Sequence, residues 1–293
     1  MRSGRKKLKN YSFVLPAVIL LIVITIFPLV YSLTLSFFHW DLRRPLGWRF
    51  AGFSNYARAL FSDHRFHRSL ITTGIIGVSA VLLEFVLGLG LALLLSRKLV
   101  GKRILTTLLV MPVMISPVVA ALMWRMLYHE KYGAINAIVR LLGFGNGPSW
   151  LGSPSLAPFS VVLVDAWQWT PLFMMILLAG LQSIPIEPHE SALVDGASRP
   201  QVFWYITLPM LKLSIIAALL IRLVDVIKLF DTVFILTSGG PGSSTETVSY
   251  YVYLVGFRFF RVGYAASLSY LLLAIVVVIA LGFLRILRER KVG

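Results

Sequence analysis

From Tyr11 to Phe38 the chain carries no charged side chain. A run of that length and apolarity crosses the hydrocarbon core of a bilayer as a helix. Few features constrain a fold so strongly. Lipid supplies no hydrogen-bond partners, so a spanning segment must satisfy its own backbone as a helix or join a closed barrel. A cleaved leader is the competing reading of an apolar run near an N-terminus. This run is longer than a leader's apolar region and lacks a small-residue cleavage pattern, so we read it as a retained span. Five further apolar runs cover about 69–95, 104–128, 157–182, 210–236 and 263–285. With 58% of the 293 residues apolar, the composition lies far above that of a soluble domain. The expected fold class is an all-α membrane protein with six transmembrane helices.

Charge bears on partners and orientation. The formal net charge is +16, but the charges sit in short clusters between apolar runs. That pattern argues against a nucleic-acid face and for a lipid membrane as the basic chain's surroundings. Six spans place both termini on one side. That side collects 15 Lys and Arg against 11 on the other, in shorter segments, so both termini are expected to be cytoplasmic. The chain has no Cys, which removes disulfides and thiolate chemistry. Its five His residues are scattered and form no H-E-x-x-H pair, so no metal site is expected. No G-x-x-x-x-G-K-[ST] phosphate loop occurs either. The chain is therefore expected to hold no cofactor of its own.

Residues 1–10 read as a basic cytoplasmic segment, and 11–66 as the first span plus an external stretch with Trp40, Trp48 and Tyr56 as interfacial aromatics. Residues 67–285 read as a core, interrupted by a loop at 183–209, and 286–293 as a basic cytoplasmic tail. Gly74, Gly77, Gly88 and Gly90 in the second run permit close helix packing. Pro112 and Pro117 are kink sites in the third. Glu84 is a carboxylate within the second run, expensive in lipid, and is expected to face the interior or a partner subunit, and the fourth run includes Asp165.

The loop has the caps of an ordered structure. Pro188 suits a first helical turn, and Glu187 and Glu190 place negative charge where the helix dipole favours it. Asp195-Gly196 stops that helix. Ser198 and Gln201 form a capping-box pattern that opens a second short helix, with Val202, Phe203 and Ile206 on one side and Pro209 as its end or kink. The expected element is a pair of short cytoplasmic helices between spans four and five.

The fifth run is unusually polar. Arg222, Asp225, Lys228 and Asp231 recur every third residue, so Arg222–Asp225 and Lys228–Asp231 can pair along a helix. Two readings stand side by side: ion pairs that let a polar helix sit among others, or a pathway lining. Thr237-Ser238-Gly239-Gly240-Pro241-Gly242 then breaks the helix.

Glu190, Ala192, Gly196, Ile206, Leu208 and Pro209 fall at the spacing E-x-A-x-x-x-G-x(9)-I-x-L-P. This resembles the EAA coupling loop of permease subunits in binding-protein-dependent ABC importers, departing at Ser191, where the pattern usually has Ala. The run Phe230-Asp231 to Leu236-Thr237-Ser238-Gly239-Gly240-Pro241 is similar to the F-D-x-x-x-x-L-T-x-G-G-P segment of carbohydrate-uptake permeases of the maltose and glycerol-3-phosphate type. Thr245-Glu246-Thr247, Tyr250-Tyr251 and Trp167 to Pro185 extend the likeness, which covers about residues 10–290.

The resemblance implies a prokaryotic inner-membrane permease without its own ATPase. It implies separate ATPase subunits carrying ATP and Mg, a second related permease subunit and an extracytoplasmic sugar-binding protein. It places the ATPase contact on Glu190, Ser191, Ala192, Asp195, Gly196, Ile206, Leu208 and Pro209. Gly239, Gly240, Pro241 and Thr245 become candidates for a binding-protein contact or external gate. Glu84, Asp165, Arg222, Asp225, Lys228 and Asp231 are candidates for the pathway. Trp124, Tyr128, Trp167 and Trp169 are candidates to stack on a sugar, set against the commoner role of membrane aromatics in anchoring and packing. Three other readings remain at this point: an ABC permease for a non-sugar solute, an ion-coupled secondary transporter, and an intramembrane enzyme, for which no paired catalytic set is present.

Overall fold

A computed structural model describes residues 14–44, 47–97 and 99–288. Among the expectations above, the basic residues 1–10, Lys98 and residues 289–293 lie outside the described residues. Helix α1 covers Val14–Ser36 and widens into a π turn at Ile22–Ile26. Pro28 follows that turn and lacks the N–H that would complete a regular ladder, so a local widening relieves its ring. A short antiparallel pair follows, β1 Phe38–His39 and β2 Arg49–Phe50, with Phe38 opposite Phe50. Phe38 also meets Trp48, with ring centroids 5.9 Å apart.

Next come α2 Ser54–Phe61, the 33-residue α3 His64–Ser96, α4 Lys102–Val110 with a 3-10 turn at Met111–Met114, and α5 Pro117–Leu127. Segments α4 and α5 meet at 98°. Ser116 is extended (φ −58°, ψ 137°), as a residue before proline prefers. Beyond α6 Ala134–Leu141 lies α7 Leu156–Gln182. The short helices α8 Glu187–Val194 and α9 Arg199–Met210 follow, then α10 Lys212–Val226, bent 61° from α9. The last three are α11 Asp231–Leu236, α12 Val248–Tyr253 and α13 Val262–Arg288.

Among the described residues, four helices, α1, α3, α7 and part of α13, are long and apolar enough to cross a membrane, and up to six segments are if each bent pair counts as one. The chain is thus a mostly helical, multi-pass membrane protein. The fifth run, expected as a single span over 210–236, is corrected. Its helix ends at Val226, and Asp231 opens a new one.

Contacts divide the chain into two units: Met1–His64 with Val252–Ile275, and Arg65–Tyr251 with Val276–Gly293. In the first, the buried Asn55 amide donates to the carbonyls of Ser36 (2.9 Å) and Phe38 (3.0 Å), which holds the turn after α1. The Tyr264 hydroxyl donates to Asp63 at 2.6 Å.

In the second unit, α3, α7 and α10 pack around Val81, Ala92, Phe173, Leu177, Ala218 and Val226. A Cβ on Gly88 would lie 2.5 Å from the Phe173 Cβ, and one on Gly77 3.0 Å from Val226. Two of the four glycines therefore permit close helix approach. Gly74 and Gly90 have nothing within 4 Å and do not. Gln168 of α7 donates to the Ile115 carbonyl at 2.8 Å, occupying a backbone acceptor freed where α4 and α5 part.

Candidate functional site

Three apolar helices of the second unit each bring charge to one place. Glu84 lies on α3, Asp165 on α7, and Arg222 with Asp225 on α10. Arg222 is 1% exposed and Glu84 fully buried. The guanidinium donates from Nε and Nη2 to the two Glu84 oxygens at 2.8 and 3.0 Å, and from Nη1 to Asp225 at 2.8 Å. Nη2 also pairs with Asp165. The planar fork of arginine suits this, since one cation offers five directed N–H groups where lysine offers a point charge. The indole of Trp169 lies under the guanidinium, with its centroid 4.9 Å from Cζ.

The expectation that Glu84 faces inward therefore holds, and so does the Arg222–Asp225 pair; Asp165 is buried with them. The Lys228–Asp231 pair does not form. The helix that would set their spacing has ended, and both side chains are exposed. Asp231 instead sits in the first turn of α11, where the helix dipole favours it. Beside the cluster is a cavity of about 660 Å³, lined by Trp169, Leu172, Ile221, Arg222, Asp225 and Lys228 among others. Of the other aromatics, Tyr128 is 2% exposed and packs between Trp124 and Trp150. Trp167 sits edge-on to Trp124. These three pack against other aromatics, whereas Trp169 reaches the cavity.

The helix break after Val226 frees carbonyls that distant side chains take up. The Thr247 hydroxyl donates to Leu229 O at 2.8 Å and the Ser249 hydroxyl to Ile227 O at 3.2 Å. The 237–247 loop is anchored from α3, where Arg65 makes two bonds to Glu246 at 2.8 and 2.7 Å. Thr245, a candidate for a binding-protein contact or an external gate, is fully buried. Its hydroxyl pairs with Thr237 at 2.7 Å and reaches Gly240 O at 2.8 Å, so it shapes the loop from within. Gly239 is also buried, and a Cβ there would strike the Tyr250 ring at 2.6 Å. The exposed points of this loop are Ser238 and Gly242.

The short helix pair forms as expected. Pro188 lies in the first turn of α8 with Glu187 and Glu190. Gly196 ends it at φ +83°. Gly196 N donates to Leu193 O (3.2 Å) and Ala197 N to Ala192 O (2.9 Å), the two bonds of a Schellman stop. The Gln201 side-chain oxygen accepts from Ser198 N at 2.7 Å and from its hydroxyl at 2.8 Å, which sets the start of α9. His189 Nε2 and the Thr207 hydroxyl join the two helices at 3.0 Å. Glu190, Ser191, Asp195 and Gly196 are exposed, whereas Ala192, Ile206 and Leu208 are half-buried. Val194 and Tyr205 are 87% and 78% exposed.

Sequence reasoning missed the His189–Thr207 tie, the Arg65–Glu246 anchor and the convergence on Arg222. Only the last had a signal: isolated acids in two apolar runs and a lone arginine in a third must find one another or leave lipid.

The chain shares about a third of its sequence with curated transport permeases along nearly its whole length. It is 34% identical to the trehalose/maltose transport system permease protein MalF of Thermococcus litoralis, over 96% of this chain and 94% of that one. It is also 34% identical to the sulfoquinovosyl glycerol transport system permease protein SmoG of Agrobacterium fabrum, over 94% and 89%. Its fold matches a chain of a bacterial ABC transporter involved in the import of the acidic polysaccharide alginate, with a TM-score of 0.82, 22% identity and 98% coverage of each. Residues 84–292 match the model of the binding-protein-dependent transport system inner membrane component, and by that match and its full-length relatives the chain belongs to this family of inner-membrane transport permeases.

Proposed function

We propose that this chain is the permease subunit of an ATP-driven importer of a sugar, with six spans and both termini cytoplasmic. In this reading each bent pair counts as one crossing, and α8 and α9 dock on a separate ATPase subunit. A second permease subunit and an external sugar-binding protein complete the transporter. The observation that carries the reading is the α8–α9 pair. Two caps and the His189–Thr207 bond stiffen it, and it leaves Glu190, Ser191, Val194 and Asp195 outward. A stiff, capped pair transmits force from a partner to α10, which continues from α9 across one bend. Glu190 and Asp195 offer carboxylates to a basic groove, and Gly196 has open space above it. The carbohydrate assignment draws on the relatives' names, which include trehalose, maltose and a sulfoquinovosyl glycerol. The cluster around Arg222 and its cavity supply the pathway face of this subunit, and the exposed tip of the 237–247 loop meets the binding protein.

The absence of Cys makes the test direct. Ser191→Cys in an active complex is expected to crosslink to an ATPase subunit, and Ser243→Cys to be labelled from outside the cell. No crosslink from either Ser191→Cys or Ser198→Cys would overturn the docking. Labelling of Ser243→Cys from the cytoplasm alone would overturn the orientation. Uptake measured with and without the gene, over sugars, amino acids and polyamines, tests the substrate class.

A further inference from the structure

A second cavity lies away from the Arg222 cluster, where α3 and α7 end and the α8–α9 pair begins. Its volume of about 810 Å³ falls within the ordinary span of small-molecule sites, about 300–1,000 Å³. Leu93 and Arg97 reach it from the end of α3, Leu181 and Ile184 from the end of α7, and Leu193 and Arg199 from α8 and α9. We propose that this cavity holds an anionic phospholipid of the cytoplasmic leaflet, its phosphate on Arg97 and Arg199 and an acyl chain along the apolar wall. The choice of leaflet rests on the orientation given above, and the bound lipid goes beyond it.

Charge complementarity identifies the headgroup. Among the described residues of the lining, Arg97 and Arg199 are the Lys or Arg side chains and there is no carboxylate. Glu187, Glu190 and Asp195 of the same loop lie outside the lining. Neither arginine has an ion pair among the described residues, and both are exposed. A phosphate accepts two N–H groups from one guanidinium at once. The level of the cavity identifies a lipid as the source. Both α3 and α7 are long and apolar enough to cross a membrane, and the cavity sits at the ends of both. In the proposed orientation these are cytoplasmic ends, where basic pockets between spans attract anionic headgroups. Trp204, 61% exposed on the same lining, is an amphipathic ring of the kind that favours this level. Burying an acyl chain against the leucines and Ile184 is favourable, whereas a small soluble phosphate gains nothing from them. The lipid does not displace the ATPase in this arrangement, because Glu190, Ser191 and Gly196 are not part of the lining. His189 and Thr207 are, so the occupant touches the bond that joins α8 to α9.

The test uses the purified complex, both permease subunits with their ATPases, in nanodiscs of equal phosphatidylglycerol and phosphatidylcholine. Leu193→p-benzoylphenylalanine places a photo-crosslinker in the lining, and the mass of the adduct on its peptide names the occupant. A basic side chain near an anionic leaflet is worth about a fivefold preference, so two give about thirtyfold, and phosphatidylglycerol adducts should exceed phosphatidylcholine adducts by that ratio. Arg97→Gln or Arg199→Gln alone should lower the ratio about fivefold, and the two together should bring it to about one. Arg97→Lys with Arg199→Lys, which keeps both charges, should hold it above about tenfold. The thermal midpoint of each variant checks folding, and Trp204→p-benzoylphenylalanine gives a second probe. Excess glycerol 1-phosphate should leave the lipid adduct unchanged. A parent ratio below about fivefold, or a ratio unmoved in the folded double glutamine variant, overturns the proposal. So do adducts to a protein peptide alone, loss of the lipid adduct to glycerol 1-phosphate, or no adduct from either probe. Each of these leaves the transporter and its orientation standing. Labelling of Ser243→Cys from the cytoplasm alone instead overturns the orientation, and the choice of leaflet falls with it.

Discussion

Replacing Arg222 by leucine removes the only described cation between Glu84 and Asp165, both at most 1% exposed. Leucine fills part of the space but leaves two carboxylates facing each other without the guanidinium. Breaking a buried pair by removing one partner costs about 3–5 kcal/mol, because the remaining charge stays desolvated. At about 2–4 °C per kcal/mol for a fold of this order of size, the apparent melting midpoint of the purified protein in detergent should fall by roughly 6–20 °C. Arg222→Lys keeps the charge but not the fork, and cannot hold both Glu84 oxygens while reaching Asp225, so its loss should be intermediate. The triple variant Arg222→Met, Glu84→Gln, Asp165→Asn removes the three buried charges together and leaves only the half-exposed Asp225. Buried ion pairs exchanged for neutral groups of similar volume are often neutral in stability, so it should recover to within about 3 °C of the parent. Fluorescence-detected thermal unfolding reads all three. A shift below about 2 °C for Arg222→Leu, or a triple variant no better than Arg222→Leu, refutes the view that the cluster is held by charge balance.

Other substitutions probe the remaining constraints. Gln168→Leu leaves the Ile115 carbonyl without its donor and should lower stability by about 1–3 kcal/mol, with faster proteolysis or hydrogen exchange localised to the α4–α5 bend. Gly88→Val places a side chain where even a Cβ meets Phe173 at 2.5 Å. It should cost at least about 1–3 kcal/mol through forced separation of α3 and α7, visible as a lower melting midpoint, whereas Gly90→Ala, with open space around it, should cost nothing measurable. Gly196→Val forces a β-branched residue into φ +83°, a strain of about 1–2 kcal/mol. It should reduce transport-coupled ATP hydrolysis more than it lowers the melting midpoint, and equal losses in both would argue against a coupling role. Thr247→Val should free the Leu229 carbonyl at a cost of about 1 kcal/mol, read in the same thermal assay.

The apolar runs, the caps of α8 and α9 and the inward turn of Glu84 were all readable from the chain, because each rests on local chemistry. A charge-free segment long enough to span lipid as a helix satisfies its own backbone without partners, and a Gly after Asp195 stops a helix by its own freedom at positive φ. Residues far apart in the chain needed the tertiary structure. Glu84 and Asp165 lie 138 and 57 positions from Arg222, and no spacing rule connects them. The break at 227–230 was hidden for a similar reason. Local pattern continues the helix through Asp231, but Thr247 and Ser249 supply the freed carbonyls with donors from a later segment, which makes the break tolerable where sequence alone sees only more helix. The burial of Thr245 was not legible either, because exposure belongs to the folded loop and not to the residue type. Sequence by itself thus determined which segments are helices and where short-range chemistry ends them. Only the tertiary structure decided which polar groups satisfy one another, because a buried charge or carbonyl accepts any partner that packing brings within reach.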